Sequence, residues 1–176
     1  MADKNDEWRG KVGKMSDDEV EAFREKPLMM EIACLKPGGA PYITVAWNLW
    51  QDGGYYLVVR ERAPWAKYMQ DDPRVSFIIH QWEPMEKIWG EGMAEIVEEP
   101  NVGGAWVGIA EDMARKYLGP DGPKYLVPTL EQPRWLIKIT GDNVKTWQGV
   151  AWARRYWVES DKGPSYEEAM GTKPTA

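Results

Sequence analysis

Three cations, Arg60, Arg62 and Lys67, cluster where a strand gives way to a short helix. From residue 55 the chain reads YYLVVRERAPWAKYMQDD. Its apolar front half has the composition of a strand, and Pro64 suits the first turn of a helix over residues 63–70. Helix amides and cationic side chains converging on one point favour an anion, a phosphate above all. The same cations also read as a solvated basic patch balanced by Glu61, Asp71 and Asp72.

The rest of the reactive inventory is small. One histidine, His80, closes an apolar strand and reads as a packed or surface residue. One cysteine, Cys34, sits in a core-like strand and reads as packing. A His-rich metal site is therefore excluded, and a Ser-His-Asp nucleophile is poorly supported. No G-x-G-x-x-G follows a strand and no phosphate-binding G-x-x-x-x-G-K-[ST] occurs. No catalytic side chain and no metal ligand is assigned. The aromatic content stands out: 11 Trp and 8 Tyr against 2 Phe. Trp and Tyr offer a flat apolar face and a polar handle, which suits planar ligands as well as cores.

The elements that must position these residues are mostly strands. Ser16 with Glu19 makes a capping box for a helix that Pro27 closes. Residues 28–35, 41–50, 55–60, 74–80 and 86–97 read as strands, and 134–140 as a sixth that continues into 144–147 past a Gly141-Asp142 kink. Turn signals at residues 36–39 and 52–54 make hairpins. In the second strand Ile43, Val45, Trp47 and Leu49 share one face, and Tyr42, Thr44, Ala46, Asn48 and Trp50 the other. In the fourth, Val75, Phe77 and Ile79 point inward. Gly90 and Gly92 signal a bulge or a close backbone approach. Residues 104–118 return to helical spacing, with Trp106, Ala110, Met113, Ala114 and Tyr117 on one face. A proline-rich connection over residues 120–133 follows. This order predicts a mainly β (α+β) domain, an antiparallel barrel with flanking helices. The domain is expected over residues 16–150, after a flexible lead over 1–15 and before a partly flexible extension over 151–176.

Composition narrows the partners. At 176 residues with a net charge of -6, the chain has no general attraction for nucleic acid or anionic lipid. The single cysteine precludes an internal disulfide. The first residues lack the apolar core of a signal peptide, and no apolar run reaches the ~20 residues of a membrane span. A cytoplasmic location is expected.

Several segments, taken in order, resemble the pyridoxamine 5'-phosphate oxidase-like split-barrel flavoproteins. They are Ala66-Lys67, Asp72-Pro73-Arg74-Val75 with the strand to Ile79, the run from Gly39 to Val45, Gly90-Glu91-Gly92-Met93-Ala94, and Val144-Lys145-Thr146-Trp147. The likeness covers roughly residues 16 to 150. It implies a six-stranded antiparallel split barrel, paired as a homodimer with cofactors in grooves between subunits. The cofactor it implies is FMN or the deazaflavin F420, with haem as a weaker alternative. Arg60, Arg62 and Lys67 match the positions that hold the phosphate. Thr44, Val45, Ala46 and Trp47 match the strand along the ring system. By residue type, Trp65 and Trp147 suit aromatic walls, and Trp47, Trp50 and Trp65 suit the substrate side. Two departures are visible. The junction after the third strand reads Val59-Arg60-Glu61-Arg62 where many relatives carry a hydroxyl residue. Residues 43–48 hold no cation, so oxidation of a B6 vitamer is not expected.

The expected function is hydride transfer between a flavin or deazaflavin and a small planar organic substrate. Such a cofactor carries the electrons, so no side-chain base is obligatory. The alternatives are a haem- or bilin-binding split barrel with His80 as axial ligand, a Trp-faced module for a flat ligand or sugar, and a flavin-binding scaffold without turnover.

Overall fold

The computed structural model describes residues 12–149 and 166–171. Helix α1 (Asp17–Arg24) starts as its capping box dictates: the Ser16 hydroxyl accepts from the Glu19 N–H and the Glu19 carboxylate accepts from the Ser16 N–H. The lead expected over residues 1–15 is tied down at its end, where Gly13 bridges Gln148 and Met15 is buried. Most of that lead, and most of the carboxy-terminal extension, lies outside the described residues. Within the extension the structure describes only a short helix, Tyr166–Gly171.

Seven strands form one antiparallel sheet: β1 (Met30–Leu35), β2 (Pro41–Ala46), β3 (Leu49–Gln51), β4 (Gly54–Arg60), β5 (Arg74–Gln81), β6 (Glu86–Asn101) and β7 (Arg134–Gln148). Their spatial order is β2-β1-β5-β6-β7-β4-β3. The two outermost strands, β2 and β3, are consecutive in the chain and separated only by Trp47 and Asn48. The sheet must therefore coil until its edges meet, yet β2 and β3 do not pair, which leaves a split barrel rather than a closed one. Seven strands replace the expected six because residues 41–50 are not one strand. At Trp47-Asn48 the backbone leaves the ladder, and the Asn48 N–H donates to the Tyr117 hydroxyl instead.

Strand alternation sorts the side chains. Ile32, Leu57, Val75, Phe77, Ile79, Ile88, Ile137 and Ile139 fill the barrel core with Tyr55 and Cys34. On β2, Tyr42 and Ala46 pack against that core, while Ile43 and Val45 point out and are 71% and 50% exposed. The glycines of β6 behave as their positions suggest. The register slips between Trp89 and Glu91, and a Cβ on Gly92 would lie 2.5 Å from the Thr140 carbonyl oxygen.

Outside the barrel, helix α2 (Pro64–Asp71) follows the Arg60-to-Ala63 junction, and helix α3 (Trp106–Leu118) covers the outer face of β4 and β7. No side chain of its own caps α3. Glu98 of β6 does so, accepting from the Ala105 and Trp106 N–H groups at 3.0 and 3.1 Å. Those bonds, the Ala105 one first, hold the Glu98 carboxyl below its usual range. Trp106, Ala110, Ala114, Leu126 and Leu136 form a second apolar cluster under α3. The proline-rich connection is two 3-10 turns, Gly122–Tyr125 and Val127–Thr129, packed on α3 so tightly that a Cβ on Gly122 would meet the Ala114 carbonyl oxygen at 2.0 Å. Among the described residues, no helix is long and apolar enough to cross a membrane.

Candidate functional site

The outward-facing ends of β4 and β7 carry the site. Alternation sends Tyr55, Leu57 and Val59 into the barrel and so turns Arg60 outward. Antiparallel pairing then sets Arg60 directly opposite Arg134, the first residue of β7. Like charges placed opposite each other across a ladder destabilise a sheet. Here nothing of opposite sign relieves them: among the described residues, neither arginine, nor Arg62, forms an ion pair.

These three arginines line one cavity of about 470 Å³. Besides Val58 and Val59 next to Arg60 on β4, its other walls come from four parts of the chain. Val45, Ala46 and Trp47 come from the end of β2 and the break after it, Ala63 and Trp65 from the start of α2, Ala110 and Met113 from α3, and Tyr125 and Leu126 from the 3-10 turns. The volume lies within the range of small-molecule sites, and the mix of an apolar lining with a few convergent polar groups is what such sites need.

Arg134 is the most constrained of the three. It is only 7% exposed. One guanidinium nitrogen donates to the Thr129 hydroxyl at 2.6 Å, and the group lies 5.2 Å from the centre of the Trp106 ring. Its Nε is buried with no partner. Burial first, and Arg60 second, push its pKa down, with Tyr125 opposing them. A buried guanidinium with an orphaned donor, facing a second cation, fits a bound anion with several acceptor oxygens.

The aromatic wall is equally definite. The Trp47 indole lies flat on the Tyr117 ring, centres 4.7 Å apart and planes within 4°, and its centre is 5.6 Å from that of the tilted Tyr125 ring. Behind it, Asn48 is 1% exposed.

Of the nine residues expected at the site, the structure brings six to this cavity: Val45, Ala46, Trp47, Arg60, Arg62 and Trp65. Three do not line it. Thr44 is on β2 and pairs with Ile32. Lys67 projects from α2 into solvent, 2.6 Å from the Gln70 amide oxygen and 3.3 Å from Asp71. Trp147 is near the far end of β7, paired with Lys87, and donates its indole N–H to the Gly149 carbonyl at 2.7 Å. Trp50, a candidate for the substrate side, packs on the barrel core under the Arg24 guanidinium. The principal residue not foreseen is Arg134, because its place opposite Arg60 depends on strand register. Pro133-Arg134 opening an apolar run was the available signal. Glu61, which follows Arg60, is exposed and does not line the cavity.

His80 is half exposed and hydrogen-bonded to Glu31 at 3.1 Å, away from the cavity, which has neither histidine nor cysteine in its lining. Burial pushes the Cys34 thiol up, as packing requires. No cluster of metal-ligating side chains occurs among the described residues.

A family model described as pyridoxamine 5'-phosphate oxidase matches residues 16–148. Among solved structures, a conserved hypothetical protein from Mycobacterium tuberculosis is 27% identical with a TM-score of 0.64, over 80% of this chain and 89% of that one. The haem storage protein HutZ from Vibrio cholerae is 15% identical with a TM-score of 0.57, over 74% and 94%. A protein described as an F420 reductase is 18% identical with a TM-score of 0.56, over 70% and 94%. At their identities the last two show the fold alone. No curated protein matches the chain.

Proposed function

This chain belongs to the pyridoxamine 5'-phosphate oxidase family, and we propose that its arginine-lined cavity holds the phosphate end of a flavin or deazaflavin in an oxidoreductase acting on a small planar organic substrate. The observation that carries this reading is the Arg60–Arg134 pair, two opposed cations with no carboxylate and an orphaned buried donor. Such a group, when bound, supplies two-electron hydride chemistry. The chain's part is to bind, orient and shield. Arg60, Arg62 and Arg134 hold the phosphate. Val45, Ala46 and Trp47 present backbone and an indole face to the ring. Met113, Tyr125 and Leu126 complete the lining and exclude water. FMN and F420 both carry a phosphate and a tricyclic ring, and both fit this description.

A second copy of the chain completes the site in this reading. Ile43 and Val45 leave an exposed apolar strip on β2, and Val45 is part of the cavity rim. Light scattering at micromolar concentration should report a dimer, and a monomer would contradict this part. His80, the ligand expected for the haem alternative, lines a different surface pocket, so that alternative does not run through this cavity.

The test is the visible absorbance of the purified protein after separate incubation with FMN, F420 and haem, followed by desalting. A retained flavin or deazaflavin band supports the proposal and names the cofactor. A Soret band alone moves the function to haem, and no retained chromophore removes the case for an oxidoreductase.

A further inference from the structure

Trp47 sits where the chain leaves the hydrogen-bond ladder between β2 and β3, the two edge strands of the split barrel. A residue at such a break has no strand partner to fix it, so its position depends on other contacts. Tyr117, in the last turn of α3, supplies two kinds of contact there at once, beside the Tyr125 ring against Trp47 and the Lys116 ammonium on the Asn48 carbonyl.

The Tyr117 hydroxyl is fully used. It accepts from the Asn48 backbone N–H at 3.1 Å and from the Asn48 Nδ2 at 3.0 Å, and it donates to the Leu28 carbonyl at 2.7 Å. A phenol has one donor and two acceptor sites, and all three are satisfied within the protein. Asn48 is equally committed. Its Nδ2 also donates to Leu28 O at 2.9 Å, and the Lys116 ammonium donates to its backbone oxygen at 3.2 Å and its amide oxygen at 3.4 Å. The Tyr117 ring meanwhile lies flat against the Trp47 indole. One side chain thus pins the backbone next to Trp47 with its hydroxyl and stacks on the Trp47 ring with its face. Tyr117 itself does not line the cavity. Whatever it does for a ligand, it does through Trp47.

We propose that Tyr117 is the positioning residue of the site: it holds the Trp47 indole flat as the cavity's aromatic wall and so gives the site its preference for a planar ring system over a bare sugar phosphate. The second half rests on the flavin-type reading of the cavity. The first half does not. A fixed indole face offers dispersion and quadrupole contact to a flat ring without ordering at the moment of binding. A loose one must be ordered first. The arginines attract the phosphate of either ligand, so they do not discriminate.

The experiment has a ligand-free arm and a ligand arm. In protein labelled with fluorotryptophan, Trp47→Phe assigns the Trp47 fluorine resonance. Tyr117→Phe keeps the ring and removes the hydroxyl that pins Asn48. It should shift and broaden the Trp47 resonance while the resonance of the buried Trp106, at the other end of α3, stays in place. An unmoved Trp47 resonance overturns the positioning role whatever the protein binds. In the ligand arm, FMN and ribose 5-phosphate are titrated into wild type, Tyr117→Phe and Trp47→Phe. A stacked aromatic contact corresponds to about 3- to 10-fold in affinity. Both variants should lose roughly that much for FMN and nothing for ribose 5-phosphate. Equal losses for the two ligands would reduce Tyr117 to a structural residue and overturn the selectivity. Trp47→Phe leaves the hydroxyl anchors intact, so it keeps the ligand arm decisive if Tyr117→Phe fails to fold. Wild type that takes up no FMN contradicts the flavin reading, and the fluorine arm still decides the positioning role.

Discussion

Arg74 and Arg134 each open a strand, yet their surroundings are opposite. Arg74 follows Pro73, sits 70% exposed and binds Asp72 with two guanidinium nitrogens, at 2.9 and 2.6 Å, while its own N–H reaches the same carboxylate. Those bonds pull the Asp72 carboxyl from 3.8 to about 2. Its cation has a partner, and its job is to shape the turn between α2 and β5. Arg134 follows Pro133, is buried, faces Arg60 and has an unused donor. A buried cation without an anionic partner is costly, and the fold keeps it where it lines a cavity of ligand size. Two strand-opening arginines after prolines look alike in sequence. Partnership and burial separate a structural charge from a binding one.

The largest effect expected follows from Arg134→Met. A charge-assisted hydrogen bond contributes roughly 1.5–3 kcal/mol, so FMN affinity by calorimetry should fall by about 10- to 150-fold. The melting temperature without ligand should not fall, because a buried uncompensated charge leaves with the side chain. A lower melting temperature with unchanged affinity would invert the comparison and make Arg134 the structural arginine. Arg60→Met should follow with a loss of about 10-fold, the lower end of that scale, since Arg60 is less buried.

Lys116 falls between the two arginines. It has carbonyl partners, and burial pushes it from 10.5 to about 8, with Glu25 opposing. Between those values the unfolded chain holds the proton while the folded chain releases it. Stability should therefore rise with pH from about 8 to about 10.5, and Lys116→Met should remove that rise in denaturant titrations. Tyr117, raised by burial to about 12, acts in the other direction: it stays protonated when folded, so its contribution declines as pH climbs from 10.0 toward 12. A flat profile in wild type would mean Lys116 is better solvated than its contacts indicate.

The smallest effects belong to the partnered cations. Lys67→Ala and Arg74→Ala should leave FMN affinity unchanged and barely alter stability, because solvent screens exposed ion pairs. The Asp72 contribution should be present above about pH 4 and lost as pH falls toward 2. A marked loss of FMN binding in Lys67→Ala would show that the phosphate extends toward α2, and would redraw the site.

Local signals in the sequence carried much of the fold. The Ser16-Glu19 capping box, the inward Val75, Phe77 and Ile79, the glycines of β6 and the buried face of α3 all follow from rules that act within a few residues. What the sequence did not show depends mostly on distant partners. Alternation runs unbroken through residues 41–50, so nothing local marks the step at Trp47-Asn48. It is made by a hydroxyl from α3. Arg134 joins Arg60 only through the register of β4 on β7. Lys67 is the exception, because its spacing to Asp71 is that of a helical ion pair. That local signal pointed to the solvent-facing pair the structure shows.

The most direct measurement compares FMN with riboflavin, which has the same ring and lacks the phosphate, in wild type and in Arg134→Met. Wild type should bind FMN at least about 10-fold more tightly, the scale of one charge-assisted hydrogen bond, and Arg134→Met should erase most of that difference. Equal affinity of wild type for the two ligands would contradict a phosphate site at the three arginines.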